Sequence, residues 1–371
     1  MKIGIDCREL RNYVTGIGRI LLEFLGEIKG YNKDFNIILF GNQHTGSLLF
    51  EDVFKNYKKV IIKEKFTLWW DQIQLKNAIK KNNIDVFFSP YYKIPLLTKT
   101  KTILSIFDVT YLLIEPYNTY IRSKLYLKNF IKLASKKAQK IITCSNYTKN
   151  DLLKILNLPK EKIEVAYLGV SSKFKIIHEK NKIELVKKKY GIDNKYILYV
   201  GNLKPHKNVE RLIEAYNLLP ETIKQEYNLV LAGGQSKRLT KGNKQFGPID
   251  LQSIIFVGHI LDEDLPALYS GAELFVFPSL YEGFGLPPLE AMACGCPAVS
   301  SHTSSMPEIL GDAALFFNPY DVEEMSLVLR QMLEDENLRS RFRQKGLERA
   351  RLFTFEKMTN RILDVFDLMR A

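Results

Sequence analysis

The sequence predicts an α/β protein made of two domains, each built on a parallel sheet. Short apolar runs alternate with amphipathic stretches along the whole chain, and that rhythm is the βαβ pattern behind parallel sheets. The chain has 371 residues, more than the roughly 250–300 at which a single hydrophobic core stops growing. A lysine-rich stretch at 171–189 carries few signals of its own and separates the two runs of alternation, where a linker is expected.

In the first half, apolar runs mark strands at 2–6, 36–40, 60–62, 85–89, 102–107, 140–144 and 163–166. Amphipathic stretches between them mark helices at 17–29, 69–81, 121–138 and 147–156. The second half repeats the pattern, with strands at 196–200, 228–232, 254–257, 273–277 and 297–300. Its helices are expected near 208–218, 263–270, 287–293, 321–334 and 337–350. The domains are drawn at 1–172 and 173–354.

The net charge of +13 is unevenly placed: residues 1–180 carry 31 lysines and arginines against 16 acids, which leaves 23 against 25 in the remainder. The densest part is 121–140, with no acid between Glu115 and Asp151. Lys124, Lys128 and Lys132 fall four apart there, while Leu125, Phe130, Leu133 and Ala134 fall near helical spacing on another face. A basic amphipathic helix suits an anionic membrane surface, where each cation contributes about 1 kcal/mol. A core-packed helix with a solvated lysine face is the alternative. No helix-turn-helix, zinc-finger or RNA-binding aromatic signature accompanies the charge, which argues against nucleic acid.

No apolar stretch approaches the ~20 residues that span a bilayer, and Met1-Lys-Ile-Gly-Ile opens directly as a strand without a signal-peptide pattern. Cys7, Cys144, Cys294 and Cys296 lack the spacing of a zinc or redox motif, so thiols in a reducing cytosol are expected. The Asn146-Tyr-Thr148 sequon then has no role. Trp69, Trp70, Tyr91 and Tyr92 either pack in the core or meet a sugar or lipid.

Ser279-Leu-Tyr-Glu-Gly-Phe-Gly-Leu-Pro-Pro-Leu-Glu290 is the most informative segment. The apolar run Leu274-Phe-Val-Phe277 leads into it, which places the turn at the carboxyl end of a strand, where ligands bind in open α/β sheets. Pro287 and Pro288 suit the first turn of a helix. The N–H groups of Gly283, Phe284, Gly285 and Leu286, backed by the helix dipole, make a seat for a phosphate. Glu282 falls before the helix and Glu290 inside it, so the two carboxylates face different parts of one ligand. Two acceptors for hydroxyls beside a phosphate seat point to a nucleotide sugar.

This segment resembles the Glu-x7-Glu signature of retaining glycosyltransferases of family 4. The resemblance implies the GT-B fold, with two Rossmann-like domains facing across a cleft and a last helix, from about Phe355, that crosses back to the first domain. It implies that Glu282 binds hydroxyls of the donor sugar, that Glu290 binds the donor ribose, and that the glycine-rich turn holds the diphosphate. Further segments extend it over essentially the whole chain. In Tyr199-Val-Gly-Asn-Leu-Lys-Pro-His-Lys-Asn208, Lys207 matches the family lysine on the diphosphate, while Asn202 stands where many relatives carry arginine. In Ile5-Asp-Cys-Arg8 and Thr15-Gly-Ile-Gly-Arg19, the Gly16 and Gly18 loop matches one that lines the cleft toward the donor. In Ser105-Ile-Phe-Asp-Val-Thr110, Asp108 is kept but Phe107 replaces a histidine common in relatives. Asp108 is either a cleft residue or a turn cap. Val257-Gly-His-Ile260 is expected to border the base pocket, and Glu308 in Ser304-Ser-Met-Pro-Glu308 to cap a helix.

The expected catalytic residues are therefore Lys207, Glu282 and Asp108. The family chemistry implies retention of anomeric configuration, with the leaving phosphate taking the acceptor's proton. No cofactor is expected, and the scattered histidines make no metal constellation. The motifs look most like bacterial mannosyltransferases of surface-polysaccharide assembly, which favours GDP-mannose and a polysaccharide or lipid-linked oligosaccharide acceptor. A UDP- or dTDP-sugar-dependent transferase, or a GT-B sugar-nucleotide epimerase, is the alternative. A cytoplasmic protein, peripheral at the inner face of the plasma membrane, follows.

Overall fold

A computed structural model describes residues 1–10, 16–31, 35–45, 49, 54–113, 121–233 and 253–370. The chain divides into two units: unit 1 is Met1–Gly169 with Thr354–Ala371, and unit 2 is Val170–Phe353.

Unit 1 holds a seven-stranded sheet of β1 (Lys2–Asp6), β2 (Asn36–Gly41), β3 (Lys58–Ile61), β4 (Val86–Ser89), β5 (Lys101–Ser105), β6 (Lys140–Thr143) and β7 (Ile163–Val165). Its order is β3-β2-β1-β4-β5-β6-β7, and every pairing is parallel. β4 is buried along its whole length, as a strand covered by helices on both faces must be. All seven expected strands form. The helix Gly16–Ile28 buries Leu21, Phe24, Leu25 and Ile28 at helical spacing. Against it lies the last helix, Phe355–Asp367, whose Phe366 meets Phe24, Phe88 and Phe35 edge-on with centroids 6.3, 5.5 and 6.1 Å away. Arg361 pairs with Glu164 at 2.7 Å on the same side. The expected return of the chain to the first domain is thus present as an aromatic cluster. Gly169 makes the return sterically feasible, because a Cβ there would stand 2.1 Å from the backbone nitrogen of Phe355.

The stretch expected as one helix over 69–81 is segmented into Thr67–Trp69, a π turn at Trp70–Gln74 and Leu75–Lys81. The π turn carries Trp70 and Asp71 inward together. The basic helix forms at Ile121–Lys137, with its side chains described from 127 onward, so Lys124 and Leu125 lie outside the described side chains. It buries Ile131, Ala134 and Ser135, with Ala138 buried just beyond its end, whereas Leu133 is exposed, contrary to its expected place on the apolar face. Ile131, Ala134 and Ala138 follow the three-and-four spacing of the buried face, and Leu133 falls between its ridges. Thr15 and Glu115 lie outside the described residues.

Unit 2 holds β8 (Lys195–Val200), β9 (Tyr227–Ala232), β10 (Ile254–Gly258), β11 (Leu274–Phe277), β12 (Ala298–Ser301) and β13 (Ala314–Phe317). The order is β10-β9-β8-β11-β12-β13, again all parallel. Its core gathers Ile197, Tyr199, Leu229 and Val276 of the sheet with Leu212, Met325 and Leu329 of covering helices. Two expectations need correction. β13 is absent from the sequence reading, since four apolar residues after a tight turn give too short a pattern to stand out. The linker expected at 171–189 instead includes a helix, Lys180–Lys189. That helix buries Val186, while Lys189 and the following Tyr190 both reach Asp264 at 2.7 Å. One apolar side chain on a lysine-rich helix is a weak periodic signal, so the segment looks unstructured until its partner is known.

Phe366→Ala should destabilise unit 1 by about 3–5 kcal/mol, the usual cost of truncating a buried phenylalanine. Urea denaturation of the full chain measures it; an unchanged midpoint would mean that the last helix does not help hold unit 1.

Candidate active site

The strand order of unit 2 reverses between β8 and β11, so the loops leaving their carboxyl ends splay apart and open a crevice. After β8 the chain turns at Gly201 and Asn202 and enters a single 3₁₀ turn, Pro205–Lys207. Asn208 ends that turn at φ +58°. Its buried amide donates to the carbonyls of Pro278 at 3.1 Å and Pro319 at 2.7 Å. The Leu280 N–H donates to the His206 carbonyl at 2.7 Å. These bonds tie the β8 loop to the β11 loop. The Lys207 ammonium consequently lies 2.5 Å from a Glu282 carboxylate oxygen and 5.3 Å from the centre of the Phe277 ring. Both paired side chains are largely shielded, at 13% and 14% exposure. Removing either partner leaves a poorly solvated charge unpaired.

The turn that follows Glu282 is held from behind by β12's exit loop. The Glu282 N–H donates to the Ser304 hydroxyl at 3.0 Å, with Ser304 itself at φ +55°. The buried Ser305 hydroxyl lies 3.0 Å from the Glu282 carbonyl and 3.2 Å from the Phe284 carbonyl. Gly285 sits at φ +90°, and a Cβ there would stand 2.3 Å from the Met306 methyl carbon, so both backbone and packing call for glycine. Leu286–Ala293 is helical from the next residue. Pro287 and Pro288 have no N–H to give, which leaves Leu286 and Leu289 as first-turn donors without acceptors inside the helix. Phe284 turns its ring inward against Phe353, centroids 5.7 Å apart, so Gly283, Phe284, Gly285 and Leu286 offer backbone rather than side chains.

Glu290, on that helix, accepts a hydrogen bond of 3.1 Å from the hydroxyl of fully buried Tyr269. Burial, and then the Glu290 charge, push the Tyr269 hydroxyl well above its ordinary pKa, so it stays a donor. Burial and the same carboxylate push the Cys294 thiol up to about 12. Tyr269 was missed in the sequence because it reads as one more core aromatic. Asn208 and Ser305 were missed because their roles depend on loops far away in the chain. Asn202 accepts from the Lys204 N–H at 3.2 Å and is exposed, a turn-forming role rather than a cationic one.

Gly16, Gly18 and Asp108 belong to unit 1. Gly16 opens the helix Gly16–Ile28, where a Cβ would meet open space, and Gly18 is buried two residues on. Asp108 accepts from the Thr110 N–H at 2.5 Å and from its hydroxyl, capping the short helix Thr110–Leu113. Unit 1 reverses its strand order between β1 and β4. There Arg8 donates to Asp6 at 2.6 Å and to Asp71, with its guanidinium 4.0 Å above the Trp70 ring. Burial opposes the Arg8 charge, but Asp6 and then Asp71 outweigh it and raise its pKa. Burial raises the Asp71 carboxyl despite Arg8. Asp6 and Arg8 line a pocket of about 130 Å³ with Glu9, Glu64, Ser89, Tyr91 and Lys93. The Ser89 hydroxyl is buried there without a hydrogen-bond partner. Among the described residues no three His, Cys, Asp or Glu side chains group to hold a metal ion, and no helix is long and apolar enough to cross a membrane.

Residues 14–174 match the family described as Glycosyltransferase Family 4, and residues 182–349 match Glycosyl transferases group 1. The O-antigen chain mannosyltransferase B of Escherichia coli is 31% identical over 76% of this chain and 74% of its own length. This chain belongs to the family 4 glycosyltransferases. It is also 28% identical to the O-antigen chain mannosyltransferase RfbU of Salmonella typhimurium, over 73% of this chain and 71% of that protein. A match to the serotype-specific mannosyltransferase WbdA of E. coli reaches 33% but spans 29% of that longer protein. Among solved structures, Anabaena HepE in complex with UDP-glucose superposes with a TM-score of 0.77 at 16% identity, over 99% of both chains. WaaG, a glycosyltransferase involved in lipopolysaccharide biosynthesis, gives 0.75 at 18%, over 98% of this chain and 99% of that one. The family 4 glycosyltransferase therefore has the GT-B fold.

Tyr269→Phe removes the donor to Glu290 at almost constant volume. It should cost about 1.5–3 kcal/mol, the range for a hydrogen bond to a charged group. A thermal melt that matches wild type would show that Tyr269 does not hold Glu290.

Proposed function

We propose that this glycosyltransferase moves a mannosyl group from GDP-mannose onto a saccharide of a growing surface polysaccharide, free or lipid-linked. The observation that carries the reading is the pairing of Lys207 with Glu282 where the strand order of unit 2 reverses. A cation beside a carboxylate suits a ligand that joins an anionic diphosphate to a hydroxyl-rich sugar. The likeness to O-antigen mannosyltransferases supports mannose, and hence its guanosine diphosphate donor.

In this reading Lys207 and the first-turn N–H groups of Leu286–Ala293 meet the charge that grows on the departing diphosphate, usually the largest catalytic contribution. A compact ammonium is well suited to that task. Glu282 accepts from sugar hydroxyls and Glu290 from the ribose, with Tyr269 setting its rotamer. The bond from the anomeric carbon to the diphosphate oxygen breaks, and one from that carbon to the acceptor oxygen forms on the same face. The acceptor proton passes to the departing diphosphate. Configuration is retained, and neither a protein nucleophile nor a metal ion takes part. Asp108, a cap in unit 1, has a positioning role at most. The unit 1 pocket with its unpartnered Ser89 hydroxyl supports binding of a polar acceptor in that unit. Four buried thiols support a reducing cytosol.

Thermal-shift titration with GDP, UDP, dTDP and ADP, then with their sugar conjugates, tests the donor. A ligand at 100 times its Kd adds about 2.7 kcal/mol of stability. A selective response to GDP shared by GDP-mannose is expected; a selective UDP or dTDP response would discard mannose while keeping the site. Glu282→Ala should lower turnover by about 10- to 150-fold, from the loss of about 1.5–3 kcal/mol. Wild-type turnover should be unchanged by EDTA. Near-normal turnover of the variant would overturn the role of Glu282, and loss of activity in the chelator would overturn metal independence.

A further inference from the structure

The stretch from β3 into the π turn departs from the burial logic of the rest of unit 1. Phe66 is 74% exposed, Leu68 58% and Trp69 56%, with Ile61 at 43% on the edge strand beside them. Trp70, the next residue, is fully buried and donates its indole N–H to the Ile62 carbonyl at 2.9 Å. Glu64 is tied on both sides: its N–H donates to the Gln43 side chain at 2.7 Å, its carbonyl accepts from the same side chain at 2.8 Å, and its carboxylate accepts from Thr67 at 2.6 Å. Three large apolar side chains are therefore presented to solvent on a pinned turn. Lys58, Lys63 and Lys65 lie exposed around them, with no ion pair to any described residue.

We propose that residues 61–69 form a docking wedge for an anionic lipid bilayer. Phe66, Leu68 and Trp69 enter the headgroup layer, where aromatic rings are favoured, and the lysines stay at its surface against lipid charge. Charge decides the occupant. A second copy would bring the same lysine rim and the same basic half against itself, which opposes self-association. An anionic surface neutralises both. On the Ile121–Lys137 helix, where the sequence alone placed membrane contact, the described side chains bury Ile131 and Ala134, and Leu133 is the one exposed apolar residue among them. Glu64 and Thr67 also line the unit 1 pocket, so docking through this turn holds that pocket close to the lipid.

The chain has two tryptophans, one exposed and one buried, which makes the test direct. The full chain is mixed with phosphatidylcholine vesicles with or without phosphatidylglycerol, and co-sedimentation and tryptophan emission are followed together. Retention on the anionic vesicles with a blue shift is expected. Trp69→Phe should abolish the shift, because Trp70 is already out of water. Phe66→Ser combined with Leu68→Ser, and separately Lys63→Glu combined with Lys65→Glu, should each weaken retention by about tenfold or more at low salt. These positions are exposed, so an unchanged melting temperature confirms that the variants are folded. Absence of retention would overturn the proposal. So would retention with no change in Trp69 emission, variants that bind like wild type, or self-association that the same substitutions abolish.

Discussion

Each sheet reverses its direction of growth once, and the two loops that leave the strands at that reversal carry the polar chemistry of each unit. In unit 2 the strands flanking it are β8 and β11, which brings Lys207 within 2.5 Å of Glu282 although 75 residues separate them. In unit 1 they are β1 and β4, which supply Asp6 and Arg8 on one side and Ser89 and Tyr91 on the other. The cause is geometric. Right-handed crossovers place helices on opposite faces of the sheet on either side of the reversal, so the carboxyl-end loops diverge and leave a crevice lined from both sides. Everything else near the sites serves to hold those loops at the right separation.

That holding is done by groups whose own needs are met at the same time. Asn208 accepts a left-handed backbone because its amide finds two carbonyls, and those bonds join the β8 loop to the β11 loop and the loop after β13. Ser305 lies within reach of two carbonyls of the glycine-rich turn, and Tyr269 buries its hydroxyl by giving it to Glu290. Each is a buried polar group that would be costly unpaired, and each is paired with a residue of the site. The Lys207–Glu282 pair obeys the same rule, since two largely shielded charges satisfy one another.

Much of the molecule was legible beforehand. All seven strands of unit 1 and five of the six in unit 2 show as apolar runs; central strands such as β4 are buried throughout, whereas the edge strand β3 is partly exposed and shows only through its last residues, Val60 and Ile61. The turn from Glu282 to Glu290 shows as well, since its glycines and prolines answer to local backbone needs: φ +90° at Gly285 and a helix start at Leu286. What failed were features whose meaning lies in a distant partner. β13 is four residues that become a strand by pairing with β12. The supposed linker is a helix by virtue of Val186 and its ties to Asp264. The exposure of Trp69 beside a buried Trp70 depends on a π turn that no helical period reports.

The sequence by itself determined the α/β rhythm, the family and the glycine- and proline-built turn from Glu282 to Glu290, because strand burial, turn geometry and helix starts are set by residues close together in the chain. Only the tertiary structure decided that Lys207 neutralises Glu282, that Tyr269 donates to Glu290 and that Phe66, Leu68 and Trp69 face water. Those outcomes depend on which loops the strand order makes neighbours, and strand order is a property of crossovers hundreds of atoms long rather than of any local run of residues.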